Sequence, residues 1–201
     1  MADAIEEVLY LAGHAGQMGW VPATSGNFSA RIDAERCAVT ATGGFKGETT
    51  ADRVIVVEIG QPGGPLAEGL SSEGPLHLQL YRDHPWIGAV AHVHTHASMA
   101  LSRRHAPAGS LDLAGWELLK AFPGISTHDT TISVPIFDND QDIARLAALV
   151  HQCLPEYPDV PGYLIAGHGL YAWGANARET RRHLEAFESL LNLQLEQERH
   201  T

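Results

Sequence analysis

Three histidines alternate in Ala89-Val90-Ala91-His92-Val93-His94-Thr95-His96, and their spacing is the strongest chemical signal in the chain. Residues two apart in a β-strand point to the same face. His92 and His94, or His94 and His96, would therefore set two imidazoles side by side. That separation suits adjacent corners of a metal coordination sphere; the ordinary alternative is a strand whose histidines bond to their neighbours. His168 stands between Gly167 and Gly169 just after an apolar run, where glycines let the backbone turn sharply and approach a site closely. It is the candidate third ligand. Three imidazoles plus an open position describe a catalytic rather than a structural metal. Imidazoles suit zinc best, with iron, cobalt, nickel and manganese also compatible.

Thr24-Ser25-Gly26-Asn27, Thr42-Gly43-Gly44 and Ser71-Ser72 form a second constellation of small polar turns. Each offers backbone N–H groups, hydroxyls or an amide, the chemistry of a phosphate cradle; singly, each is equally an ordinary turn or cap. Two glutamates are acid–base candidates. Glu73 follows Ser71-Ser72 at a predicted helix start, where the helix dipole stabilises a carboxylate. Glu117 stands beside Trp116 in a predicted apolar helix, where contact with apolar surface would raise its pKa toward the range useful for proton transfer. Tyr171 and Trp173 share a face and read as core or subunit-contact residues. His77 and the other histidines read as surface or packing residues.

The elements that must position these groups follow from periodicity. Ile5, Val8, Leu9, Ala12 and Ala15 predict a helix over 3–18, capped by Asp3. Short strands are predicted at 28–32, 37–41 and 54–59, followed by a Gly/Pro hairpin connection over 60–69. A helix capped by Ser71 or Ser72 carries Leu76 and Leu80 and stops at Asp83-His84-Pro85. The histidine strand covers 87–94. A helix is predicted over 111–122, a strand over 131–137, and a helix capped by Asn139 or Asp140 with Ile143, Leu146, Ala147 and Val150 on one face. Two strand segments flank Gly167-His168-Gly169. A long amphipathic helix over 179–198 presents Leu184, Phe187, Leu191 and Leu195. Hairpin-like strands mixed with helices point to a mixed sheet flanked by helices.

The 201 residues suit one domain with a substantial core. A formal net charge of −11 argues against a nucleic-acid surface. Two cysteines, Cys37 and Cys153, write no disulfide framework. No apolar stretch approaches the roughly 20 residues of a membrane span, and the acidic start Asp3-Ala4-Ile5-Glu6-Glu7 is unlike a signal peptide. The expectation is a soluble, cytoplasmic protein.

Thr-Ser-Gly-Asn, Thr-Gly-Gly, Ser-Ser-Glu, Ala-Val-Ala-His-Val-His and Gly-His-Gly, in this order, resemble the class II aldolase/adducin family over roughly residues 5 to 195. The stretches 20–25, 115–122, 134–144 and 163–174 resemble its sugar-phosphate dehydratase branch more closely. The resemblance implies the α/β class: a single three-layer α/β/α domain with a mixed, largely antiparallel central sheet, assembled as a homotetramer with sites at subunit boundaries. It implies one zinc per subunit on His92, His94 and His168, with His96 an extra histidine. It places a phosphate at Ser25, Gly26, Asn27, Thr42, Gly43, Ser71 and Ser72, with Lys46 nearby. Aldolase members use the glutamate that matches Glu73 as acid–base group, and dehydratases the one that matches Glu117; this chain carries both. The implied reaction is elimination of water from a phosphorylated methylthio-pentulose. The alternatives are a phosphosugar aldolase or pentulose-phosphate 4-epimerase and, in another class, a non-catalytic adducin-like interaction domain, against which the three histidines speak.

Overall fold

The computed structural model describes residues 1–60 and 67–199. Most of the predicted 60–69 hairpin connection lies outside the described residues. Among the described residues, eight strands form one sheet: β1 (Asn27–Arg31), β2 (Arg36–Thr40), β3 (Val54–Glu58), β4 (Ala89–Val93), β5 (Ser110–Ala114), β6 (Thr131–Phe137), β7 (Gly162–Ile165) and β8 (Gly169–Gly174). Their order is β3-β2-β1-β4-β8-β7-β6-β5. Every neighbouring pair is antiparallel save β6 and β7. The α-helices of the described residues cover the sheet: α1 (Ala2–Gln17), α2 (Gly74–Asp83), α3 (His96–His105), α4 (Ile143–Cys153) and α5 (Ala177–Arg199).

Strand alternation divides the interior in two. Phe28, Ala30, Ala89, Ala91, Val93, Leu170 and Ala172 face a core shared with α1, α3 and α5. Val90, Tyr171, Trp173, Tyr163 and Ile165 face a second core with Leu76, Leu80 and Tyr81 of α2 and Leu146 and Val150 of α4. The result is the expected three-layer α/β/α domain. No helix among the described residues is long and apolar enough to cross a membrane.

Several local expectations are corrected. Residues 111–122 are not a helix: β5 occupies 110–114, and a short 3-10 turn follows at Glu117–Ala121. Leu111 and Leu113 are buried while Asp112 and Ala114 are exposed, so the governing period is two, pairing β5 with β6. Helix α3 was not anticipated; it starts in a capping box in which Thr95 accepts from the Ser98 N–H and Ser98 accepts from the Thr95 N–H. Met1, not Asp3, is the N-cap of α1. Glu73 occupies the N-cap of α2 without side-chain capping, while the Ser71 hydroxyl accepts from the Glu73 N–H at 3.3 Å. Helix α4 is capped by Asp142, which accepts from the Arg145 N–H, while Asp140 binds the Arg145 guanidinium.

Candidate metal centre

The centre of the sheet brings the three histidines together. His92 lies in β4 on the α2 side, between Asn27 of β1 and Tyr171 of β8 in the cross-strand register. His94 follows the strand end with the same parity, and His168 sits in the β7–β8 turn. His96 is exposed as the first residue of α3, so the pair that meets His168 is His92 and His94. Ring centroids are separated by 4.6 Å (His92–His94), 5.1 Å (His92–His168) and 4.6 Å (His94–His168). Glu73 completes the group: one ligand-capable atom from each of Glu73, His92, His94 and His168 lies within 4.8 Å of the others.

Glycines on both flanks permit this approach. A Cβ on Gly169 would stand 2.2 Å from the Val93 carbonyl oxygen and 3.1 Å from His92 Cε1; one on Gly26, which holds φ +76°, would stand 2.7 Å from the His92 carbonyl oxygen. Tyr171 then stacks on the His92 ring at 4.1 Å and 17°, and Tyr163 on Tyr171 at 4.8 Å and 15°.

The donor set fits a cation. His92 is fully buried, and its Nδ1–H donates to the Leu170 carbonyl at 3.1 Å, which fixes the tautomer and leaves Nε2 bare toward the centre. His94 Nε2 lies 2.8 Å from it. His168 directs Nδ1 at Asn139 Oδ1, 3.4 Å away, and Nε2 at Glu73 Oε1, 2.8 Å away. Burial drives the His92 pKa well below its usual value and brings His94 down to about 4, so both stay neutral, the form that ligates metal. Burial tends to raise the Glu73 pKa, but the hydrogen bond and charge of His168 and the hydrogen bond from the Asn27 amide outweigh it. The carboxyl is held far below the usual carboxylate range.

The three polar turns gather beside this cluster. Thr42 N–H bonds the Gly69 carbonyl at 2.8 Å, and Ser71-Ser72 lead directly into Glu73. Ser25 Oγ is buried with no partner among the described residues, the condition of a group built to meet a ligand. Two residues that the resemblance assigns to or near the phosphate also hold structure. Lys46 is buried and directs its ammonium at the carbonyls of Thr24 (3.2 Å), Gly43 (3.0 Å) and Gly44 (3.2 Å), occupying its three donors. Asn27 donates its amide N–H to Glu73 Oε2 at 2.7 Å, and its Oδ1 accepts from His77 Nε2.

Glu117 departs furthest from expectation. It lies on the 3-10 turn after the edge strand β5, with a side chain 69% exposed and paired with Lys120 at 2.5 Å and His128 at 3.4 Å. The hydrogen bond from Lys120 lowers its pKa, the opposite of the shift that an apolar helix face would give. Its own chain does not bring it into the histidine cluster. Sequence reasoning also passed over His77, whose partners lie on a strand distant in sequence.

A model of the class II aldolase and adducin N-terminal domain matches residues 6–195. The chain belongs to the class II aldolase and adducin family. A methylthioribulose-1-phosphate dehydratase from Parvibaculum lavamentivorans is 54% identical over 197 residues, covering 98% of this chain and 95% of that protein. One from Xanthomonas campestris pv. campestris is 50% identical, covering 90% and 82%. Among solved structures, L-fuculose-1-phosphate aldolase from Thermus thermophilus superposes with a TM-score of 0.75 at 23% identity, covering 95% of this chain and 93% of that one. At that identity the likeness speaks for the family fold alone.

Proposed function

We propose that this family member removes water from 5-methylthioribulose 1-phosphate, leaving 2,3-diketo-5-methylthiopentyl 1-phosphate, a step of methionine salvage. One observation carries the reading: a chain about half identical, over nearly its full length, to dehydratases of that name folds His92, His94, His168 and Glu73 into one cation-ready cluster. The proposed metal is one zinc per subunit, held by the three imidazoles. When bound, it supplies a Lewis acid that polarises the ketone and acidifies the neighbouring C–H.

The chain's own groups do the rest. Ser25, Gly26, Thr42, Gly43, Ser71 and Ser72 receive the phosphate, with Lys46 bracing two of their turns from behind. Asn27 orients Glu73, an ionised carboxylate beside the imidazoles that can hold a proton in transit. Glu117 takes the C3 proton and returns it to the departing C4 hydroxyl. Because it projects away from its own chain's cluster, it serves a site completed by a neighbouring subunit of a homotetramer.

Incubation of the zinc-loaded protein with 5-methylthioribulose 1-phosphate should yield a product lighter by one water, with turnover blocked by a chelator and restored by zinc. The placement of Glu73 inside the cluster favours a second reading, a phosphosugar aldolase. Cleavage to a triose phosphate and an aldehyde would establish that reading, and an unchanged substrate would remove the first.

A further inference from the structure

Behind Glu73, α2 and β1 interlock through polar side chains buried in an otherwise apolar layer. Glu73, His77 and Tyr81 recur every fourth residue along one helix face, and Asn27 and Ser29 every second residue along one strand face. Four helical residues rise about 6 Å and two strand residues about 6.6 Å, so the two rows keep pace and alternate. Asn27 Nδ2–H donates to Glu73 Oε2 at 2.7 Å, and Asn27 Oδ1 meets His77 Nε2. Ser29 Oγ lies 2.7 Å from His77 Nδ1 and 2.7 Å from the Tyr81 hydroxyl. Asn27, Ser29, His77 and Tyr81 are all buried.

The protons in this chain have one consistent order. Asn27 gives its N–H to a carboxylate, so its carbonyl oxygen faces His77 and requires a proton on Nε2. The neutral ring is then bare at Nδ1 and accepts the Ser29 hydroxyl, whose oxygen accepts from Tyr81. Every donor points toward Glu73. At the far end the Tyr81 phenol is buried, with the Arg31 guanidinium over its ring at 4.7 Å.

We propose that His77, in its neutral Nε2–H form, is a positioning residue: it holds the Asn27 amide and thereby fixes the Glu73 carboxylate, with Oε2 3.6 Å from His92 Nε2 and Oε1 2.8 Å from His168 Nε2. The inference rests on the reading in which Glu73 handles a proton at this site. Outer-shell partners that orient the residues of a metal site typically cost about 10–100-fold when removed.

Two-bond 15N–1H spectra of the 15N-labelled, zinc-loaded protein should show His77 neutral with its proton on Nε2. His77→Gln, which keeps an N–H where Nε2 stood, should hold kcat within about tenfold of the parent, whereas His77→Leu should lower kcat by 10–100-fold with KM and zinc content unchanged. A proton on Nδ1, or parental kcat in His77→Leu, overturns the proposal. Should His77→Leu fail to fold, the spectrum of the parent protein decides. Should the parent leave methylthioribulose phosphate untouched, the dehydratase reading falls by itself and the spectrum again decides this one.

Discussion

The two candidate acid–base residues occupy opposite environments, and that contrast makes them separable. Glu73 is half-enclosed among imidazoles and tied to Asn27, whereas Glu117 stands in solvent with Lys120 and His128. A positioned acid–base group contributes about 10²–10⁴-fold. Glu117→Gln should therefore lower dehydratase turnover by that much while zinc content, measured by elemental analysis, stays at the parental level. Full activity in Glu117→Gln would transfer the whole role to Glu73, and Glu73→Gln should then carry the loss. The clustering of His92, His94 and His168 was legible in the sequence because period-two spacing and a Gly-His-Gly turn are local signals. His77 was not, because a histidine at helical spacing reads as packing until Asn27 and Ser29 of β1 are known to lie opposite it. The surroundings of Glu117 were misread for a related reason: the apolar positions of 111–122 fit a helix as well as a strand followed by a turn. Only pairing with β6 separates the two.

Among the elements, α3 and α5 meet through a carboxyl group that the proposed reaction does not use. Glu188 is buried on α5 and accepts from the Thr95 hydroxyl at 2.9 Å, at the cap that launches α3 just after His94. Its second oxygen has no partner among the described residues. Burial pushes its pKa up to about 7, although the Thr95 hydrogen bond pulls the other way. The folded protein thus holds this proton more tightly than the unfolded chain. Its contribution to stability is full below the unfolded value near 4.5 and is lost as pH rises through about 7. Glu188→Gln should remove that loss and gain on the order of 3 kcal/mol over the parent protein between about pH 4.5 and 8. Urea unfolding of both metal-free proteins measures it, and a pH-independent difference would refute it. Helix α3 itself was missed because its start is a Thr-x-x-Ser box rather than an apolar stripe. The long α5 was legible because Leu184, Phe187, Leu191 and Leu195 trace one face, all of them buried.

For the whole molecule, the layers could be anticipated from strand alternation and family resemblance, but the strand order could not, since local pattern carries no record of which distant strands pair. That order sets a thermal property. A cation that binds the folded cluster at 100 times its Kd adds about 2.7 kcal/mol, and a domain of this size gains roughly 2–4 °C per kcal/mol. Zinc should therefore raise the melting temperature by about 5–10 °C, a chelator should reverse the rise, and His92→Ala should abolish it. An unchanged melting temperature would speak against the site. The position of β4 has a kinetic consequence as well. Residue 92 pairs with residue 27 on one side and residue 171 on the other, so the cluster closes only when ends of the chain that are far apart have met. Contacts of such long sequence separation form late and slowly. No early fragment of the polypeptide emerging from the ribosome can present the full set of imidazoles, and acquisition of the metal becomes a report that the last strand has been laid in place.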